Sequence, residues 1–124
     1  MQIDIFTLCD IAEIIQDKIV LSGTFRSSHH SSFPSALDFS VVLSLLLNNN
    51  EVNNEHAIRI KCTSPSAKEL FNFENKYENA QQVINFVLNV RQVPIESQGV
   101  YVVSFYFDGD LIRDYAFTAN KAGV

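Results

Sequence analysis

The run Glu96-Ser97-Gln98-Gly99-Val100-Tyr101-Val102-Val103-Ser104-Phe105-Tyr106-Phe107-Asp108-Gly109-Asp110-Leu111 decides how this chain folds. A glycine-bearing turn leads into β-branched and aromatic residues. Asp108-Gly109 then reverses the chain into a second apolar run, Leu111 to Phe117. Glycine takes positive φ without steric penalty, so Asp-Gly between two such runs is a strong β-hairpin signal. The stretch speaks to fold and carries no chemistry.

The same period of two recurs through the chain. Leu37, Phe39, Val41, Leu43 and Leu45 alternate with Asp38, Ser40, Val42 and Ser44, and Asn48-Asn49-Asn50 stops the run. His56, Ile58, Ile60 and Cys62 alternate with Ala57, Arg59 and Lys61, up to Ser64-Pro65. Ile84, Phe86, Leu88 and Val90 form a further set that ends before Pro94. Ile3 to Leu8 and Lys18 to Phe25 read as strands, with Gly23 marking a bulge or a strand end. Asp10 to Ile15 reads as the first arm of a hairpin rather than a short helix, because the turn at Gln16-Asp17 is so tight. Ser66 to Phe73 suits a strand or a helix opening, and Lys76 to Gln82 reads as a loop. Ser27 to Ser32 is expected to be a polar loop, closed by Phe33-Pro34. Seven to eight short strands, with no helix compelled and no internal repeat, predict one all-β domain over residues 1–124, an antiparallel β-sandwich.

Composition supports a packed core and excludes several function classes. In 124 residues, 47% are hydrophobic and 19% charged, with ten Phe and no Trp. A domain of this size hides about two-thirds of the surface its unfolded chain exposes, so neither disulfides nor metal are needed. Nine basic residues against fourteen acidic ones give a net charge of −5, and the basic ones are scattered. Phosphate backbones and anionic membranes are bound by clustered Lys and Arg, so neither nucleic acid nor membrane is an expected partner. Met1 to Phe6 has no basic region and carries Asp4, so no secretory leader is expected. Cys9 and Cys62 are too few for a disulfide framework and read as reduced, buried thiols of a cytoplasmic protein.

Gln98-Gly99-Val100-Tyr101-Val102-Val103 resembles the approach to strand F of immunoglobulin-like domains, where a tyrosine hydroxyl bonds back to upstream backbone. The resemblance implies that Tyr101 is that corner tyrosine. Val103 stands where antibody domains carry their second disulfide cysteine, and no Trp exists to pack on it, which excludes a true antibody-type domain. Leu8-Cys9-Asp10-Ile11-Ala12, Lys18 to Phe25, Phe33-Pro34, Gly99-Val100-Tyr101 and Phe107-Asp108-Gly109 together resemble an uncharacterised bacterial family of small stand-alone sandwich proteins, a domain of unknown function. That resemblance implies a fold and no activity.

The reactive residues form no catalytic constellation. His29-His30 are adjacent, so in extended backbone they point to opposite sides and seldom ligate one ion; no metal is expected. His56 reads as a partly buried residue with one hydrogen-bond partner. Cys9 lacks a local base, and Asp10 beside it disfavours thiolate. Asp108 with Asp110 supplies too few oxygens for calcium and reads as a solvated turn. No Gly-x-Ser-x-Gly elbow or phosphate-binding glycine loop occurs. The expectation is therefore a non-catalytic protein-interaction module without cofactor. Its binding residues are assigned to the loop of Arg26, His29 and His30. Homodimerisation through an edge strand, Leu111 to Phe117, is a further expectation. A structural subunit of a phage or secretion-type assembly is the alternative, with a cryptic hydrolase third.

Overall fold

The computed structural model describes residues 1–122. Its strands in chain order are β1 (Gln2–Ile15), β2 (Lys18–Thr24), β3 (Ser27–His30), β4 (Ser35–Leu46), β5 (Glu55–Thr63), β6 (Glu69–Glu78), β7 (Val83–Ile95), β8 (Gly99–Phe107) and β9 (Asp110–Lys121). One sheet runs β2-β1-β4-β7 and the other β3-β9-β8-β5-β6. Every pairing is antiparallel except β3 with β9, which is parallel. Alternation gives each sheet one apolar face. Leu8, Phe39, Leu43, Ile58, Ile60, Phe105 and Phe117 from both sheets are buried in one shared cluster, so the arrangement is sandwich-like.

Nine strands replace the expected seven to eight. The polar run Ser27–His30 is a strand rather than a loop because the end of β9, Thr118 to Lys121, supplies its ladder. Lys76 to Glu78, expected in a loop, continues β6 because β5 extends alongside, with Glu78 opposite Glu55. β7 runs through Pro94 to Ile95; it is an edge strand, where a missing N–H is tolerated. Next to Pro94 the β4–β7 ladder slips between Leu37 and Phe39, and the Asp38 carboxylate accepts the N–H of Gln92 at 2.6 Å. Gln92 itself sits at φ 52°.

The opening stretch forms β8, a turn with Asp108 at φ 50° and Gly109 at φ 87°, and β9. Before it, the Tyr101 hydroxyl donates to the Ser97 carbonyl at 2.6 Å, and the ring stacks on Phe117. Gly99 has φ 148°, and a Cβ there would come within 2.7 Å of the Pro65 ring, so the site tolerates no side chain. Leu111 to Phe117 of β9 is open on its outer side among the described residues, as the edge-strand reading expects, whereas β3 lies outside β9 over Thr118 to Lys121.

β1 has two halves with different partners. It pairs with β4 only as far as Cys9, opposite Ser40, and from Cys9 to Ile15 it pairs with β2. Gln16 and Asp17, both at positive φ, close this hairpin. Alternation places Val42 on the face of β4 opposite the shared core. There Cys9, Ala12 and Val42 form a second buried cluster, with Ile5, Ile19, Leu21 and Val87 packed on it. At the tip, the Asn85 amide on β7 donates to the Asp17 carbonyl at 3.1 Å. β7 is not a neighbour of β1 in the sheet, so the outer half of the hairpin crosses the outside of the sheet as an arm.

Candidate functional site

The residues singled out for binding do not form one site. His30 is 6% exposed, on the inward side of β3. Its Nε2 lies 2.8 Å from Ser28 Oγ and its Nδ1 lies 2.9 Å from Ser35 Oγ, with Phe33 beside the ring. Both ring nitrogens are thus used within the fold. His29 is exposed on the other side of the strand, as alternation requires. The Arg26 guanidinium lies 4.5 Å over the Tyr115 ring, in a cleft of about 410 Å³ lined also by Phe6, Thr7 and Thr24. Neither histidine lines that cleft.

His56 has two acceptors where the sequence predicts one. Its Nδ1 lies 2.8 Å from Asp108 Oδ2, and its Nε2 lies 2.7 Å from the Glu51 carbonyl. A carbonyl and an ionised carboxylate only accept, so both bonds require the imidazole to carry both protons. Burial works to lower the pKa of His56. The Asp108 hydrogen bond, the Glu51 carbonyl and the two nearby carboxylates outweigh it and raise the pKa above its ordinary 6.5. Burial likewise works to raise Asp108, and hydrogen bonds from His56 and from the Ala57 N–H at 2.8 Å hold it below its ordinary 3.8. Both Asp108 carboxylate oxygens are thus tied to the fold, while the side chain stays 45% exposed in its turn. Glu51 accepts from the Met1 ammonium at 2.8 Å and from the Asn48 N–H, which holds its carboxyl low. Register carries this signal in part: a histidine opening β5 and an acid closing β8 meet once the strands are paired.

Cys9 is fully buried, and its thiol donates to the Ile11 carbonyl at 3.4 Å. Burial first, and the Asp10 carboxylate second, push this thiol above its usual range. Cys62 is pushed up to about 12 by burial alone. Both shifts oppose the thiolate that a nucleophile needs. Among the described residues no three His, Cys, Asp or Glu side chains are grouped to hold a metal ion.

The arm presents the main unpartnered surface. Of eight large hydrophobic residues left exposed among those described, four lie on it: Ile11 at 68%, Val20 at 50%, Ile15 at 47% and Ile14 at 45%. The face toward the sheet takes Ala12, Ile19 and Leu21. The opposite face carries Ile11, Glu13 and Ile15, paired with Ser22, Val20 and Lys18. A cleft of about 570 Å³ opens beside the tip, lined by Ile14, Asp17, Tyr77, Glu78, Val83 and Asn85. Sequence reading missed this surface because strand alternation predicts one wet face and one buried face, and says nothing of a hairpin laid over the wet one.

A family model described as a "Family of unknown function (DUF6941)" matches residues 4–120, which reaches into every strand. No curated protein matches the chain.

Proposed function

The chain belongs to DUF6941, a family of unknown function, and we propose that it is an immunoglobulin-like sandwich acting as a non-catalytic protein-binding module. The immunoglobulin-like reading rests on the parallel β3–β9 pairing at one end of the five-stranded sheet and on the Tyr101 hydroxyl returning to Ser97. Two buried, unpaired thiols favour a reducing compartment such as the cytoplasm of a bacterium, and no helix among the described residues is long and apolar enough to cross a membrane.

One observation carries the binding reading: three of the eight large exposed hydrophobic residues, Ile11, Ile15 and Val20, share the outer face of the arm. Scattered apolar residues are ordinary on a surface, whereas a contiguous set marks an interaction site. The binding surface is therefore the arm rather than Arg26, His29 and His30. The test is affinity capture from source cells with mass spectrometry, comparing the native chain with an Ile11→Lys, Val20→Lys double variant. A partner recovered by the first and lost by the second supports the proposal; equal recovery by both moves the binding surface elsewhere. An activity found in a substrate screen and abolished by Cys9→Ala would overturn the non-catalytic reading.

A further inference from the structure

We infer that the open half of the β9 edge is a second binding surface, separate from the arm, which takes an extended acidic segment of another protein. The segment adds to the five-stranded sheet as a strand, and two carboxylates on alternate residues meet Arg26 and Arg113.

The backbone along this edge is unpaired. Thr118 turns its N–H outward to the Arg26 carbonyl at 2.9 Å. Alternate residues of a strand point their backbone groups the same way, so the N–H and C=O of Ala116 and Asp114 face outward too. β3 does not reach them and β8 lies on the other side, so these four groups have no partner among the described residues. The ladder with β8 is regular from Arg113 to Ala119, and neither glycine nor proline interrupts β9. Such an edge is a template for strand addition.

Register sets what the added strand must carry. Tyr115 and Phe117 are buried toward the shared core, and Arg113 shares their face, opposite the buried Phe105. Residues of an antiparallel strand directly opposite Tyr115 and Arg113 point to that face as well. The first enters the cleft of about 410 Å³ where the Arg26 guanidinium lies 4.5 Å over the Tyr115 ring. The second meets Arg113 beside it. No carboxylate lines the cleft, and neither arginine forms an ion pair among the described residues. Two unpaired guanidiniums on one face therefore select two carboxylates two residues apart. Arg26 serves here without His29 and His30.

A second copy of β9 does not match this pattern. A two-fold axis on Ile112, Arg113 or Asp114 sets like charges opposite, and one on Tyr115 brings both Arg26 side chains together. An axis on Ala116 sets Asp114 against Thr118, whose edge β3 already holds.

Amide exchange and NMR titration of the full chain with the end-blocked peptide Val-Glu-Val-Glu-Val test this, its glutamates standing opposite Tyr115 and Arg113. The Asp114 and Ala116 amides are expected to exchange fast in the free chain, and to shift and slow when the peptide is added. Arg26→Glu should weaken binding about tenfold or more, as the loss of a hydrogen bond between charged groups does. Val-Lys-Val-Lys-Val should bind the Arg26→Glu, Arg113→Glu variant and not the native chain, which distinguishes a lost contact from a damaged fold. Ile11→Lys, Val20→Lys should leave the peptide bound as before. No amide shift at millimolar peptide, equal binding of the two peptides by the native chain, or loss of binding in the arm variant overturns the inference. Asp114 and Ala116 amides already slow in a free chain that sediments as a dimer would overturn it in favour of a second copy.

Discussion

The β8–β9 and β1–β2 hairpins close with the same kind of turn and meet different fates. Both use two residues at positive φ, Asp108-Gly109 in one and Gln16-Asp17 in the other. Each turn matches the twist of its strands, so both hairpins form for local reasons. The first lies in the five-stranded sheet, with Phe105 and Phe117 buried in the shared core and its turn tied down by His56 and Ala57. The second rests on the outside, held by a three-residue buried cluster and one hydrogen bond at its tip. Turn chemistry sets how a hairpin closes; the surface available to its apolar face sets where it goes. The two should accordingly respond very differently to substitution.

The largest difference is expected in the core of β9. Phe117 is 1% exposed and touches the rings of Tyr101, Phe39 and Phe25. Phe117→Ala should cost about 3–5 kcal/mol by urea unfolding, from lost transfer energy and the cavity left behind. A cost under about 1 kcal/mol would mean that the two sheets do not share this core.

The turn comes second. Asp108→Ala leaves the His56 ring N–H and the Ala57 N–H without their acceptor, which should cost about 1–3 kcal/mol. The pH dependence has a definite sign. His56 is raised on folding, so its contribution is complete below its ordinary 6.5 and is lost as pH rises through its folded value. Asp108 is lowered on folding, so its contribution is present above its ordinary 3.8 and is lost as pH falls through its folded value. Stability should therefore peak between these limits and decline on both sides. His56→Gln should flatten the alkaline side, and an unchanged profile in that variant would show that another group is responsible.

Tyr101→Phe is smaller again. It removes the hydroxyl that donates to Ser97 and leaves the stacked ring, so about 1 kcal/mol is expected. No change in unfolding midpoint would mean that this corner contributes nothing to the β8–β9 side of the comparison.

Much of this architecture was legible in the chain. The alternation from Leu37 to Leu45 and from His56 to Cys62, and the Asp-Gly reversal, each depend on neighbours a few residues apart. What escaped depends on distant partners. Ser27–His30 has no strand composition of its own and is extended because β9 lies beside it. Lys76 to Glu78 is polar and extended because β5 lies beside it. His56 and Asp108 are distant in sequence and meet only after β5 and β8 have paired. The arm is the clearest case. The tight turn at Gln16-Asp17 predicts its hairpin, but Ile11 and Val20 carry no mark that tells a covered face from an open one. That distinction depends on Val42 and Val87, which pack beneath the arm.

The smallest effect is expected in the arm. Leu21 is only partly buried and packs on the small outer cluster. Leu21→Ala should cost about 1 kcal/mol or less, because the shared core between the sheets is untouched. Its informative effect is local. Amide exchange across residues 11–22 should accelerate while exchange in β8 and β9 stays as it was, since an element held by few buried contacts opens without global unfolding. If both hairpins accelerated together, the arm would be part of the same cooperative unit as the core. Its apolar outer face would then be a fixed surface from which a partner cannot lift it, and the contrast between the two hairpins would be one of position alone.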